Sequence, residues 1–185
     1  MPSRAKQAIR TSFIKLLNQR PLSEITVRDI VEDCGVNRNT FYYHFRDIPQ
    51  LLENIVNEDA ERLIREYPQI DSMEQCMDAV IGFSLENRNA VLHIFHSVNR
   101  DIYEQYQWRI CEHTVKTYLN MALSGRSIAE EDRQIIGSYL KCVCFGVVID
   151  WLENGMKSDI QTRFHRLFAL KQGHLEEMLA RCERS

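Results

Sequence analysis

Residues 26 to 45, T-V-R-D-I-V-E-D-C-G-V-N-R-N-T-F-Y-Y-H-F, constrain this chain more than any other stretch. They spell two short helices separated by a tight turn. Thr26 fits the N-cap of the first helix, with Asp29 three positions on as its capping-box partner. Val27, Ile30, Val31 and Cys34 fall on one helical face. Gly35 stands where a helix C-terminus needs a left-handed residue. Val36 is apolar and plugs the angle between the helices, and Asn37 fits the N-cap of the second, Arg38 to Phe45. Phe41 and Phe45 lie four apart and point inward, joining Cys34 in the expected core. Arg38, Asn39, Thr40, Tyr42, Tyr43 and His44 are left on the outer face. Two helices around a glycine turn, the second polar and basic outside, describe a helix-turn-helix, which presents its second helix to the major groove of DNA.

The run I-T-V-R-D-I-V-E-D-C-G-V-N-R-N-T-F-Y-Y-H-F-R-D-I-P-Q-L-L, Ile25 to Leu52, resembles the tetracycline-repressor (TetR) family of bacterial transcriptional regulators. In detail the resemblance covers about the first 60 residues; beyond them only length and helical character match. It implies an all-α fold with two domains. Residues 1–47 form a three-helix DNA-binding headpiece; helix 4 joins it to a helical effector-binding and dimerisation body, residues 48–185. It implies that Thr40, Tyr42 and His44 contact DNA, and that Arg28, Arg38 and Asn39 face base edges or phosphates. Thr26, Tyr43 and Arg46 complete the expected contact set. The chain departs from the family pattern at Ile48-Pro49, where a lysine usually stands; this removes one expected phosphate contact, and Arg46 is the nearest substitute.

Charge supports the division. The overall formal charge of −3 does not suit a DNA binder, but residues 1–50 hold eight Lys or Arg against five acids, and the remainder fifteen against twenty-one. A basic headpiece on an acidic body brings only the headpiece to phosphate. Met1 to Arg10 is polar and lacks the apolar run of a signal peptide. The longest apolar run, Cys142 to Ile149, is far short of the roughly 20 residues needed to span a bilayer. The six cysteines are scattered and suggest no disulfide framework. A cytoplasmic location with no membrane partner is expected.

Helical periodicity continues through the body, with expected helices near 72–86, 88–97, 101–123, 131–154 and 159–182. Helix 1 is expected over Ser3 to Asn18, and helix 4 from Asp47 to near Pro68. Ser72 fits a cap, Ser127-x-x-Glu130 and Ser158-x-x-Gln161 fit capping boxes, and Gly155 fits a helix stop. Leu140, Val143 and Val147, with Phe164, Leu167, Phe168 and Leu175 on the last stretch, make apolar stripes broad enough to need a partner. The resemblance implies a two-fold homodimer built there. Two recognition helices about 34–36 Å apart then fit successive major grooves of a palindromic operator. The resemblance also implies an effector pocket for an unknown small molecule. Its candidate lining is Phe83, His93, His96, Tyr103, Tyr106, Cys111, Tyr118 and Trp151, with Phe95 and Trp108 nearby.

Other chemistry has little support. His93-x-x-His96 shares a helical face but has no third ligand, and Cys142 and Cys144 point about 200° apart on a helix. No metal or cofactor is expected. No G-x-S-x-G, phosphate-binding glycine loop or H-E-x-x-H is present, and no enzyme is expected. The expected function is a dimeric regulator, a repressor released from its operator by a small molecule. The alternative is a DNA-localised interaction protein whose body docks a protein partner in place of a small ligand.

Overall fold

The computed structural model describes residues 4–66, 73–171 and 173–182. The expected helix end at Pro68 and cap at Ser72 lie outside the described residues. Among the described residues there are ten α-helices and no strand. They are α1 (Arg4–Gln19), α2 (Val27–Cys34), α3 (Arg38–His44), α4 (Ile48–Glu66), α5 (Met73–Glu86), α6 (Arg88–Phe95), α7 (Arg100–Ala122), α8 (Glu130–Glu153), α9 (Ile160–Leu170) and α10 (His174–Cys182). A 3-10 turn, Leu22–Glu24, follows Pro21. The all-α expectation holds.

Three local expectations are corrected. The stretch expected as one helix over 159–182 is two, because α9 stops at Leu170 and Gly173 turns left-handed at φ 81°. Ser158 does not cap α9. Asp159 does, its carboxylate accepting from the Thr162 amide at 3.1 Å and from the Thr162 hydroxyl at 2.6 Å. Those bonds hold its pKa below the ordinary carboxylate value. Ser127 does not cap α8 either: Ala129 holds that position without a side-chain bond, and Glu130, Glu131 and Asp132 offset the helix dipole from the first turn.

The chain forms two compact units. The first comprises Met1–Arg62 with Ser84–Tyr106. Its core is the buried stripe of α1, Ile9, Phe13, Leu16 and Leu17, packed with Ile30, Phe41, Phe45, Leu51 and Leu52. Ser12 sits on the same stripe because its hydroxyl donates to the Ile30 carbonyl at 3.2 Å, satisfying a buried polar group. Polar bonds also clip α6 to the end of α1. Asn89 donates to the Asn18 carbonyl, the Ala90 amide donates to the Asn18 side chain, and His93 Nδ1 meets the Leu17 carbonyl at 2.7 Å.

A charged cluster ties α1 to α4. Lys6 and Arg10 reach Glu58 at 2.7 and 2.8 Å, and Arg10 also grips Asp59. Arg10 and Asp59 keep only 17% and 9% of their side-chain surface exposed, so removing either partner strands a largely buried charge. Burial pushes the Glu58 carboxyl up, but Lys6 and Arg10 outweigh it and hold its pKa below the usual value.

The second unit comprises Leu63–Phe83 with Gln107–Ser185. Its core gathers Ile110, Cys111, Val115 and Leu119 of α7, Cys144, Val148, Trp151 and Leu152 of α8, Phe164 of α9 and Leu179 of α10. The turn after α8 places Gly155 and Met156 left-handed, at φ 67° and 55°, and the Trp151 indole donates to the Ser158 carbonyl across it. Helix α8 is apolar nearly all round. By length and composition it is long and apolar enough to cross a membrane, which the eight-residue run did not suggest, yet 28% of its most apolar window is buried. A helix that packs against a second copy has the same composition.

Candidate nucleic-acid interface

The geometry of α2 and α3 follows the sequence closely. Thr26 and Asp29 close a full capping box: the Thr26 amide and hydroxyl both donate to the Asp29 carboxylate, and the Asp29 amide donates back at 3.2 Å. The Thr26 bonds, with Arg20 at 3.0 Å, hold the Asp29 pKa below its ordinary value. Gly35 takes φ 67° and ψ 24°, and both its amide and that of Val36 return to the Val31 carbonyl. Asn37 caps α3 by accepting from the Asn39 amide at 2.8 Å. Phe41 and Phe45 are buried, with ring centroids 5.8 Å apart. Cys34, expected in the core with them, is half-buried.

With Phe41 fixed inward, α3 can only present its other side. Arg38, Asn39, Tyr42 and Tyr43 are exposed, and Thr40 and His44 half-exposed. Tyr43 shows 84% of its surface, a high value for a large ring. The Tyr43 and His44 rings meet edge-on at 5.0 Å. Arg38 donates to the Tyr42 hydroxyl at 3.2 Å and lies over its ring. Its guanidinium is therefore held by a neutral partner, and no carboxylate pairs with it among the described residues.

Other basic groups counted toward the headpiece charge have partners. Lys6 and Arg10 serve Glu58 and Asp59, Lys15 bonds Asp33, and Arg20 bonds Asp29. Arg28 pairs with Glu32 and Arg46 with Asp47, at 2.6 and 2.8 Å, with both arginines 79% exposed. Pairs so exposed are readily exchanged for phosphate. Thr26 is different: both hydrogen-bonding functions of its hydroxyl are used in the capping box. Helix α4 is anchored next door. The Asp47 carboxylate accepts from the Gln50 amide, and the Gln50 side chain reaches back to the Arg46 amide.

The residues expected to line an effector pocket divide between the two units. Tyr103, Tyr106, Cys111 and Trp151 are buried. His93 is engaged with α1, His96 bonds its own helix at Leu92, and Tyr118 is half-exposed. The Phe83 side chain lies outside the described residues. Tyr106 is distinctive: its hydroxyl is buried without a hydrogen-bond partner among the described residues, and burial pushes its pKa far up. On the expected dimer surface, Leu140, Val143, Val147, Leu167, Phe168 and Leu175 are half-exposed, whereas Phe164 is buried in its own chain, stacked on Phe168. Sequence reading missed Ile135 and Tyr139, exposed at 59% and 41% on α8. The signal was there, since an all-round apolar helix leaves some apolar side uncovered whichever face its own chain buries.

Comparison with known proteins agrees with this geometry. Residues 14–55 match the family described as bacterial regulatory proteins, tetR family, and residues 71–173 match the tetR-type transcriptional regulator C-terminal region. An uncharacterized HTH-type transcriptional regulator, YxbF of Bacillus subtilis (strain 168), is 22% identical over 163 residues, 82% of this chain and 40% of that protein. The HTH-type transcriptional repressor KstR2 of Mycolicibacterium smegmatis (strain ATCC 700084 / mc(2)155) is 28% identical over 75 residues, 40% of this chain and 37% of its own length. The chain thus spans well under two thirds of these curated relatives. The solved structure of the dihydroxyacetone kinase operon activator DhaS shares the fold, with a TM-score of 0.74 at 17% identity over 97% of both chains. The two family matches, one on the helix-turn-helix and one over more than half of the chain, place this protein in the tetR family of bacterial regulatory proteins.

Proposed function

We propose that this protein is a homodimeric regulator of transcription that reads a palindromic operator through α3. The observation that carries the reading is the outer face of α3. A compact hydrophobic support holds an arginine that has no carboxylate partner among the described residues, two exposed tyrosines and a histidine side by side on one short helix. Arg38, Asn39 and Thr40 reach base edges; Tyr42, Tyr43 and His44 meet the sugar-phosphate backbone, flanked by Arg28 and Arg46. Thr26 contributes by fixing the start of α2. Residues 1–47 form the DNA-binding part, and the body from residue 48 provides dimerisation and effector binding.

The exposed apolar side of α8, Ile135 and Tyr139 with half-exposed Val143, supports the dimer. The orphan hydroxyl of Tyr106 supports a buried polar contact for a small effector. An effector that weakens operator binding must itself bind the DNA-bound form less tightly. Repression relieved by the effector is the mode we favour. The relative KstR2 is named a repressor, while DhaS, which shares only the fold, is named an activator.

Arg38→Ala and Tyr42→Phe test the interface. Each removes a group that serves no core contact, so circular dichroism and dimer mass stay as in the parent. Operator affinity falls on the order of tenfold or more for Arg38→Ala, and less for Tyr42→Phe. Unchanged affinity in both variants refutes the assignment of α3.

A further inference from the structure

A groove of about 610 Å³ opens between α7 and α8, within the range of small-molecule sites. None of the eight residues expected to line an effector pocket borders it. It has a physical origin. Gly137 puts no side chain into the seam, and Leu119 stands 3.4 Å from where a Cβ would be. At 100° per residue, Cys144, Val148, Trp151 and Leu152 lie on the same side of α8 as Gly137, and all four are buried. The face that α8 buries toward its C-terminal end therefore faces an opening toward its N-terminal end. The exposed apolar residues Ile135, Tyr139, Cys142 and Gly146 lie about 140° round the helix from the groove, so a copy seated on them leaves the groove free.

The lining is polar above a small apolar floor. Val115, Leu119 and Gly137 form the floor. Lys116, Arg133 and Lys141 supply three positive charges, and Glu112 and Glu130 two negative ones. Glu112 is shared by Lys116 at 3.3 Å and Lys141 at 4.0 Å, and Lys141 also lies over the Trp108 ring. Arg133 bonds only a neutral amide, that of Asn120, in this lining. The groove thus carries one positive charge in excess, centred on Arg133. Neutral donors and acceptors from Asn120, Gln134 and Ser138 surround it.

We propose that this groove binds a small polyhydroxylated anion, a sugar acid or a sugar phosphate. Its carboxylate or phosphate meets Arg133 in a charge-assisted, forked contact, and its hydroxyls exchange hydrogen bonds with the amides, Ser138 and Glu112. The inference rests on the reading of the body as the effector-binding part and gives that part a second location besides Tyr106.

The test is calorimetric titration of the full-length protein with gluconate, glucose and glucosamine, which are anionic, neutral and cationic polyols of one size. Glucose 6-phosphate and inorganic phosphate distinguish a sugar phosphate from a bare anion. Gluconate or glucose 6-phosphate is expected to bind at least about tenfold tighter than glucose, with glucosamine weakest. Arg133→Gln, on an exposed side chain, removes that preference, and Gly137→Leu, which fills the seam, removes binding, while operator affinity and dimer mass stay as in the parent. Equal binding by inorganic phosphate, binding untouched by both variants, no binding of any polyol, or loss of the dimer in Arg133→Gln each overturns the proposal. Groove binding with no operator binding would instead overturn the regulator reading and leave the groove standing.

Discussion

Replacing Gly35 by alanine isolates the backbone requirement of the α2–α3 turn. Gly35 sits at φ 67°, and a Cβ added there meets nothing within 4 Å. The substitution therefore costs only the left-handed conformation, about 1–2 kcal/mol for a residue with a Cβ. Alanine also stiffens the unfolded chain, which returns about 0.4–1 kcal/mol. The net expectation is a loss of about 1 kcal/mol, read as a lower urea midpoint at unchanged slope in circular dichroism. Gly82, inside α5 and equally free of neighbours, provides the opposite sign: alanine there is expected to stabilise by about 0.5–1 kcal/mol. Because no atom blocks the new methyl group, folded Gly35→Ala keeps the angle between α2 and α3 and so its operator affinity. A Gly35→Ala protein as stable as its parent, or one that folds normally but no longer binds DNA, would refute this reasoning.

Three further outcomes are expected. Tyr106→Phe removes a buried hydroxyl that has no partner, so stability should hold or rise by on the order of 1 kcal/mol; a clear loss would mean the hydroxyl is bonded after all. Ile135→Glu places a charge on the exposed apolar side of α8 and should shift the mass in light scattering from dimer toward monomer; an unmoved dimer would exclude that face. The carboxyls of Asp29, Glu58 and Asp159 bind protons more weakly folded than unfolded. The unfolded chain then takes up more protons, so stability is present above the ordinary carboxylate values and lost as pH falls from about 4.5 downward. A urea midpoint equal at pH 7 and at about pH 3.5 would contradict that sign.

The headpiece was legible because its signals are local. Thr26 with Asp29, Gly35 and Asn37 each act on backbone within four residues, and Phe41 with Phe45 follows from helix periodicity alone. What depends on partners distant in sequence was not legible. The charge of residues 1–50 suggested a basic headpiece, but Glu58 and Asp59, just beyond that window, claim Lys6 and Arg10. Ser158 matched a capping pattern, yet the adjacent Asp159 offers a stronger acceptor and takes the position. Phe164 belonged to an apolar stripe, but periodicity does not say whether a stripe meets its own chain or another. The groove beside Gly137 depends on how α7 and α8 pack, which no pattern along one helix encodes.

The central claim is that α3 of two copies reads DNA sequence. Selection of the purified protein on random duplexes at moderate salt, followed by sequencing of the retained DNA, tests it most directly. The account predicts enrichment of a palindrome whose half-sites lie about 34–36 Å apart or a multiple of that, lost in Arg38→Ala. Retention without an enriched sequence, or enrichment that Arg38→Ala leaves unchanged, would contradict it.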